Sequence, residues 1–210
     1  MPKHVKNLLG RAGLWLLRQS DATVVDGIRI VDMRNRGDAF QHTIEQALRL
    51  IREHDLRRHR RVTRHISWIV NHVTPGKAIE YNHGIGLCTV EFFEVPDLSL
   101  DVLAAAYACF IVHEATHAVI AARGIAYTVQ QRARIERLCT VEHNRFATRL
   151  AAVDVTRYPM ELLRWDFDER QWEGAWTGSR VQAGLAMLWR TLNDPKAEPT
   201  ASPNAAPPHR

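Results

Sequence analysis

His113-Glu114-Ala115-Thr116-His117 is the stretch of this chain whose residue types and spacing can do chemistry. On a helix, two histidines four residues apart project from one face with Cβ atoms about 5–6 Å apart, so both imidazoles can grip one ion. That is the spacing of a zinc site. Glu114 then stands beside the open coordination position, where a carboxylate can take a proton from a water activated by the ion and hand it to a leaving amine. The chemistry expected is hydrolysis of a peptide bond, with Zn2+ as cofactor, His113 and His117 as ligands and Glu114 as general base.

Three fixed positions in five recur by chance, and the bland alternative is an exposed polar interruption of a helix. The flanking sequence argues against it. From Leu103 to Ile120 nearly every other residue is Ala, Val, Ile, Phe, Cys or Tyr, which marks a helix apolar on most sides and therefore internal. Two histidines and a carboxylate are costly there unless something satisfies them, and a metal does so. The boundaries are also marked: Ser99 or Asp97 can cap the start after Pro96, Asp101 lies in the first turn, and Arg123-Gly124 supplies a cation and a C′ glycine.

A catalytic zinc takes a third protein ligand and leaves its fourth position to water. The candidates lie on the next predicted helix, residues 130–150. At about 100° per residue, Ile135, Leu138, Cys139, Phe146 and Leu150 fall on one stripe with Glu142 inside it, while Glu136 lies at its edge near His143 and Ala147. A carboxylate in the middle of a core-facing stripe calls for a partner. Glu142 is therefore the expected third ligand, ahead of Glu136, whose other reading is a surface or supporting role with Arg132. His143 reads either as a ligand or substrate contact or, more commonly for such a residue, as a flanking polar group.

The pair His113-Glu-Ala-Thr-His117 and Glu142-His-Asn-Arg-Phe-Ala147, with Leu150 beyond, resembles the helix pair of the ImmA/IrrE-type small zinc metallopeptidases. These gluzincin-like proteins carry H-E-x-x-H and a downstream glutamate in a pattern close to E-A-N-x-F-A. The resemblance spans residues 80–150. It implies zinc held by His113, His117 and Glu142, Glu114 as general base, and a peptide or protein substrate paired with a cleft-edging strand near Gly86 to Phe92. The chain departs from the pattern at His143, where alanine is usual, and shows no helix-turn-helix module, so a repressor-cleaving role is not carried over.

The elements that must position these residues read as α+β. Thr23–Val31 holds two β-branched pieces around Asp26-Gly27, a hairpin signal. Residues 38–51 form an amphipathic helix with Phe40, Ile44, Ala47, Leu48 and Ile51 at spacings of three and four. Val62–Val70 is a predicted strand, Pro75-Gly76 a turn, and Gly84–Val95 a further strand. His83 and Tyr81 beside it read as structural ahead of any part in oxyanion or substrate contact. Helices are expected over residues 158–167 and 181–192, with Trp165, Trp172, Trp176 and Trp189 as packing residues. With the resemblance, the expected fold is zincin-like: a small mixed or antiparallel sheet packed on the His113 helix and the following Glu-bearing helix, with extra C-terminal helices. The expected organisation is an N-terminal amphipathic segment over 1–20, one domain over 21–193, and a Pro/Ala/Ser/Thr-rich disordered tail over 194–210.

Composition narrows the alternatives. With 210 residues and 46% apolar content, one domain can bury a sizeable core. Cys88, Cys109 and Cys139 are odd in number and far apart, which excludes a disulfide framework and fits small hydrophobes in a reducing cytoplasm. The net charge of +5 is concentrated in residues 52–64, with Arg52, Arg57, Arg58, Arg60, Arg61 and Arg64. No aromatic platform accompanies it, so nucleic-acid binding is not expected. No transmembrane span is expected, and Arg11 breaks the early apolar run, so residues 5–17 fit an amphipathic helix on the domain or on a membrane surface better than an export signal. Two rivals to the hydrolase remain. One is a catalytically silent, zinc-stabilised protein-binding module closed by a fourth side chain such as His143. The other is a basic nucleic-acid adaptor.

Overall fold

The structure is a computed structural model, and it describes residues 17–34, 37–72, 79–82, 84–93, 95 and 98–166. The first two strands form the expected hairpin, β1 (Thr23–Val25) and β2 (Ile28–Asp32), in which Val25 faces Ile28 across a two-residue turn. Asp26 (φ 51°) and Gly27 (φ 81°) both take positive φ, the backbone that a tight hairpin matching strand twist requires. Arg52 and His59 reach back to the Asp26 carboxylate at 3.0 and 2.9 Å, tying the turn to the helices that follow.

Those helices are α1 (Asp38–His54) and α2 (Leu56–His65). The second corrects the expectation of a strand beginning at Val62. Asp55 caps it by accepting from the Arg58 N–H, Val62 alone is buried among its residues, and the chain turns extended only at Ile66. A cap and a run of arginines with good helix propensity outweigh one β-branched residue. Strand β3 (Trp68–Asn71) is buried along its whole length. It is followed by β4 (Ile79–Asn82), which the sequence pattern does not announce, and by β5 (Leu87–Val90), to which the strand expected over 84–95 is shortened among the described residues. Before β5, Gly86 takes φ 64°, and a Cβ there would meet Ser67 Oγ at 3.0 Å and the His65 carbonyl at 3.1 Å.

The five strands form a mixed sheet in the order β1-β2-β3-β5-β4, parallel at its centre and antiparallel at both ends. One face carries Ile28, Ile30, Ile69, Cys88 and Val90 into the main core. The other carries Val31, Trp68 and Val70, which pack with Leu17. Helix α3 (Leu100–Ala122) runs through the main core between α1, α2, α4 (Val129–Val153) and the short α5 (Met160–Leu163). Its alanines 104, 105, 108 and 115 are fully buried, so neighbouring backbones approach closely. The architecture is α+β, as expected.

By length and composition α3 could cross a membrane, yet 78% of its apolar window is buried inside the protein, which is the packing of a core helix. The helix expected over 158–167 is shortened to the single turn of α5. The N-terminal segment before Leu17, the Pro75-Gly76 turn, His83, the helix over 181–192, Trp172, Trp176, Trp189 and the tail over 194–210 lie outside the described residues.

Candidate metal centre

Helix α3 holds the motif because its ends are fixed as the sequence suggests: Ser99 Oγ accepts from the Val102 N–H at 3.3 Å, and Gly124 takes φ 75° just past the C-cap. His113 and Glu114 are buried, and His117 is partly exposed. One turn of helix brings His113 Nε2 and His117 Nε2 to 3.1 Å of each other. The opposing helix α4 places Glu136 across both rings, with Oε2 at 3.3 Å from His113 Nε2 and Oε1 at 3.5 Å from His117 Nε2. Cys139, one turn further along α4 and wholly buried, brings its Sγ to the two histidines. His113, His117 and Cys139 each offer a ligand atom, and the three lie within 4.8 Å of one another.

These residues fit a metal ion on geometry and on donor chemistry. Donors around a tetrahedral ion with bonds of about 2.0–2.1 Å stand about 3.3–3.4 Å apart. The separations 3.1, 3.3 and 3.5 Å bracket that edge. Two imidazole nitrogens, a carboxylate and a thiol are also the ligand types that late first-row divalent ions take. The Tyr127 hydroxyl donates to Glu136 Oε1, and its ring meets His117 edge-on, which helps to orient the carboxylate.

Charge in the cluster is arranged around Glu136. Burial pushes its carboxyl up, but hydrogen bonds from His113 and His117 and their charge prevail, holding it well below the usual carboxylate range. For His117, burial acts to lower the pKa, and Cys139, Glu136 and Glu114 outweigh it, so the ring is held above its ordinary value. The influence of Glu114 on both His117 and Cys139 puts its carboxylate within electrostatic reach of the cluster. Comparison of the chain with protein-family models, with curated proteins and with solved structures finds no match.

Glu142, the third ligand expected from the sequence, is not brought to the histidines. Its Oε2 accepts from Arg58 at 3.1 Å and Arg61 at 3.0 Å, and its Oε1 from Arg145 at 2.9 Å. It is the ionic seam between α2 and α4. The correction has a clear cause. The buried face of α4 runs through Arg132, Ile135, Glu136, Cys139, Thr140, His143, Phe146 and Leu150. Leu138, placed on the core stripe by its apolarity, is 48% exposed. The helix is therefore rotated toward Glu136, and the arginines of α2 satisfy Glu142 at the flank. Arg57, Arg60 and Arg64 of the same basic run stay exposed, whereas Arg58 and Arg61 point inward.

His143 and Asn144 serve a different purpose. His143 Nε2 meets the Leu163 carbonyl at 2.8 Å, and burial, then the charge of His113, lower its pKa to about 3. It is a neutral donor to backbone, not a member of the ligand group. Asn144 makes two bonds to the backbone of Trp165, donating to its carbonyl and accepting from its N–H, each at 2.8 Å. Trp165 is thereby stacked on His113, with ring centroids 5.3 Å apart. Tyr81 is structural, its hydroxyl donating to the His65 carbonyl at 2.9 Å.

The cleft-edging strand expected near Gly86 to Phe92 also moves. β5 is hydrogen-bonded on both sides, to β3 and β4. Among the described residues the sheet edge on this side is β4, which packs alongside α3. Two members of the cluster escape a reading of the sequence: Cys139, which looks like a small hydrophobe, and Tyr127, whose place depends on the loop between α3 and α4. The spacing of Glu136 and Cys139, three residues apart on one helix, is nonetheless the same kind of signal as the histidine pair.

Proposed function

We infer that this protein is a zinc-dependent metallopeptidase in which His113, His117 and Glu136 hold the ion and Glu114 is the general base. The observation that carries the reading is the Glu136 carboxylate set across both imidazoles at 3.3 and 3.5 Å, in the spacing of donors sharing an ion. When bound there, zinc supplies a Lewis acid that polarises a carbonyl and lowers the pKa of a water. Glu114 follows His113 directly and stands beside the ligand pair, so its carboxylate can accept a proton and return it to a leaving amine. Tyr127 keeps the Glu136 carboxylate turned to the histidines. An extended peptide added to the β4 edge would run alongside the helix that carries His113. The zincin-like fold expected from the sequence belongs to this reading, and the mixed sheet packed on the His113 helix supports it.

Metal content and cleavage of a quenched peptide mixture test the proposal together. Wild type should carry one zinc per chain and cleave, His113→Ala and Glu136→Ala should lose the metal, and Glu114→Gln should keep the metal and lose cleavage. Zinc retained in full by Glu136→Ala removes that ligand assignment, and undiminished turnover by Glu114→Gln removes the base.

A further inference from the structure

We propose that Cys139 Sγ is a fourth protein donor to the same ion, so that the site rests closed by His113, His117, Glu136 and Cys139 and wild type turns over slowly, only while the sulfur is off the ion. The inference rests on the metal reading above and adds the regulation of that site. Its first support is position. Cys139 follows Glu136 by three residues on α4, so both side chains face α3 across the same gap. Sγ gathers with the two imidazoles within 4.8 Å. Donors bonded to zinc at about 2.3 Å for sulfur and about 2.0–2.1 Å for nitrogen stand about 3.6 Å apart, so the thiol is within a side-chain adjustment of sharing the ion.

The second support is contrast within the chain. Cys88 and Cys109 are equally buried and free, and neither joins a ligand group among the described residues. Cys139 alone leaves an apolar pocket, formed with Ile120 and Ile135, to face two histidines and a carboxylate. The third support is coordination chemistry. A zinc with four protein donors is the closed, structural kind, whereas catalysis keeps one position for water. With Cys139 bound, Glu114 has no water to act on. The same donor set thus explains how a hydrolytic constellation can be held inactive by a residue of its own ligand helix.

Cobalt replaces zinc at such sites and reports sulfur directly. In cobalt-loaded wild type we expect a near-ultraviolet thiolate-to-metal charge-transfer band beside tetrahedral visible absorption. Cys139→Ala and Cys139→Ser should lose the near-ultraviolet band and keep the visible one, Cys88→Ala should keep both, and both Cys139 variants should cleave the peptide mixture faster than wild type. X-ray absorption on the zinc form of wild type, which needs no variant, should show one sulfur at about 2.3 Å. A wild-type spectrum without sulfur, or a band that survives in both Cys139 variants, overturns this inference and leaves the metallopeptidase reading standing. Failure of wild type to bind cobalt or zinc, or binding undiminished by His113→Ala, overturns the metal reading itself.

Discussion

Two carboxylates six residues apart on α4 meet opposite fates because their counter-charges come from different places. Glu136 is met by two imidazoles on α3 and by Tyr127, and Glu142 by Arg58, Arg61 and Arg145. Each is the partner its surroundings require, and neither can do the other's work. Replacing Glu142 with Gln should therefore leave metal content unchanged. It should lower stability by about 1–2 kcal/mol, since charge-assisted hydrogen bonds near the surface are partly screened. Urea unfolding of the variant beside wild type checks this, and a loss of zinc would contradict the division of roles. For Tyr127→Phe the expectation is reversed: little change in stability, because the residue is 46% exposed, and weaker metal binding by about tenfold, because an orienting hydrogen bond to a ligand is gone.

Among the elements, α4 does the most, because it carries Glu136 and Cys139 to the two histidines of α3, and His143 and Asn144 to the backbone at the end of α5 and just past it. Those last two residues clamp the chain at Leu163 and Trp165, and the clamp is what lays an indole on His113. Asn144→Ala should release the Trp165 amide, seen as faster hydrogen exchange at that amide with protection in α3 unchanged. His143 makes the clamp sensitive to acid. Its folded pKa of about 3 lies below the ordinary 6.5, so the unfolded chain binds the extra proton first. Stability is therefore full above pH 6.5 and falls as pH drops from 6.5 toward 3, by on the order of 1 kcal/mol per unit. Denaturation at pH 7, 6 and 5 should show this slope in wild type and a flatter one in His143→Gln, which keeps a donor for the Leu163 carbonyl and does not titrate.

For the molecule as a whole, the proposed ion between α3 and α4 would tie together the two longest helices of the described structure. An ion that binds the folded chain and not the unfolded one at about a thousand times its dissociation constant adds about 4 kcal/mol. For a chain of this length that is about 10 °C in Tm. A chelator should lower the melting temperature of wild type by that order and leave His113→Ala unmoved. A drop of equal size in both proteins would mean that the chelator acts elsewhere.

Part of the site is legible in the order of residues alone. The histidine pair, Glu114 beside it, the caps of α3 and the Asp26-Gly27 hairpin are all set within a few residues of chain, where backbone period and turn chemistry decide what faces what. Which acid faces the histidines is not legible, because a stripe drawn through apolar residues misses that the buried face of α4 includes Arg132, Glu136, Thr140 and His143. Which face turns inward depends on partners supplied from elsewhere in the chain, among them the arginines of α2 and the backbone carbonyl of Leu163. The strand order that makes β4, not β5, the sheet edge among the described residues is likewise a long-range outcome. Local spacing determined which residues could bind an ion, and tertiary packing decided which of them are brought together, because a buried charge goes wherever its compensating partner is brought.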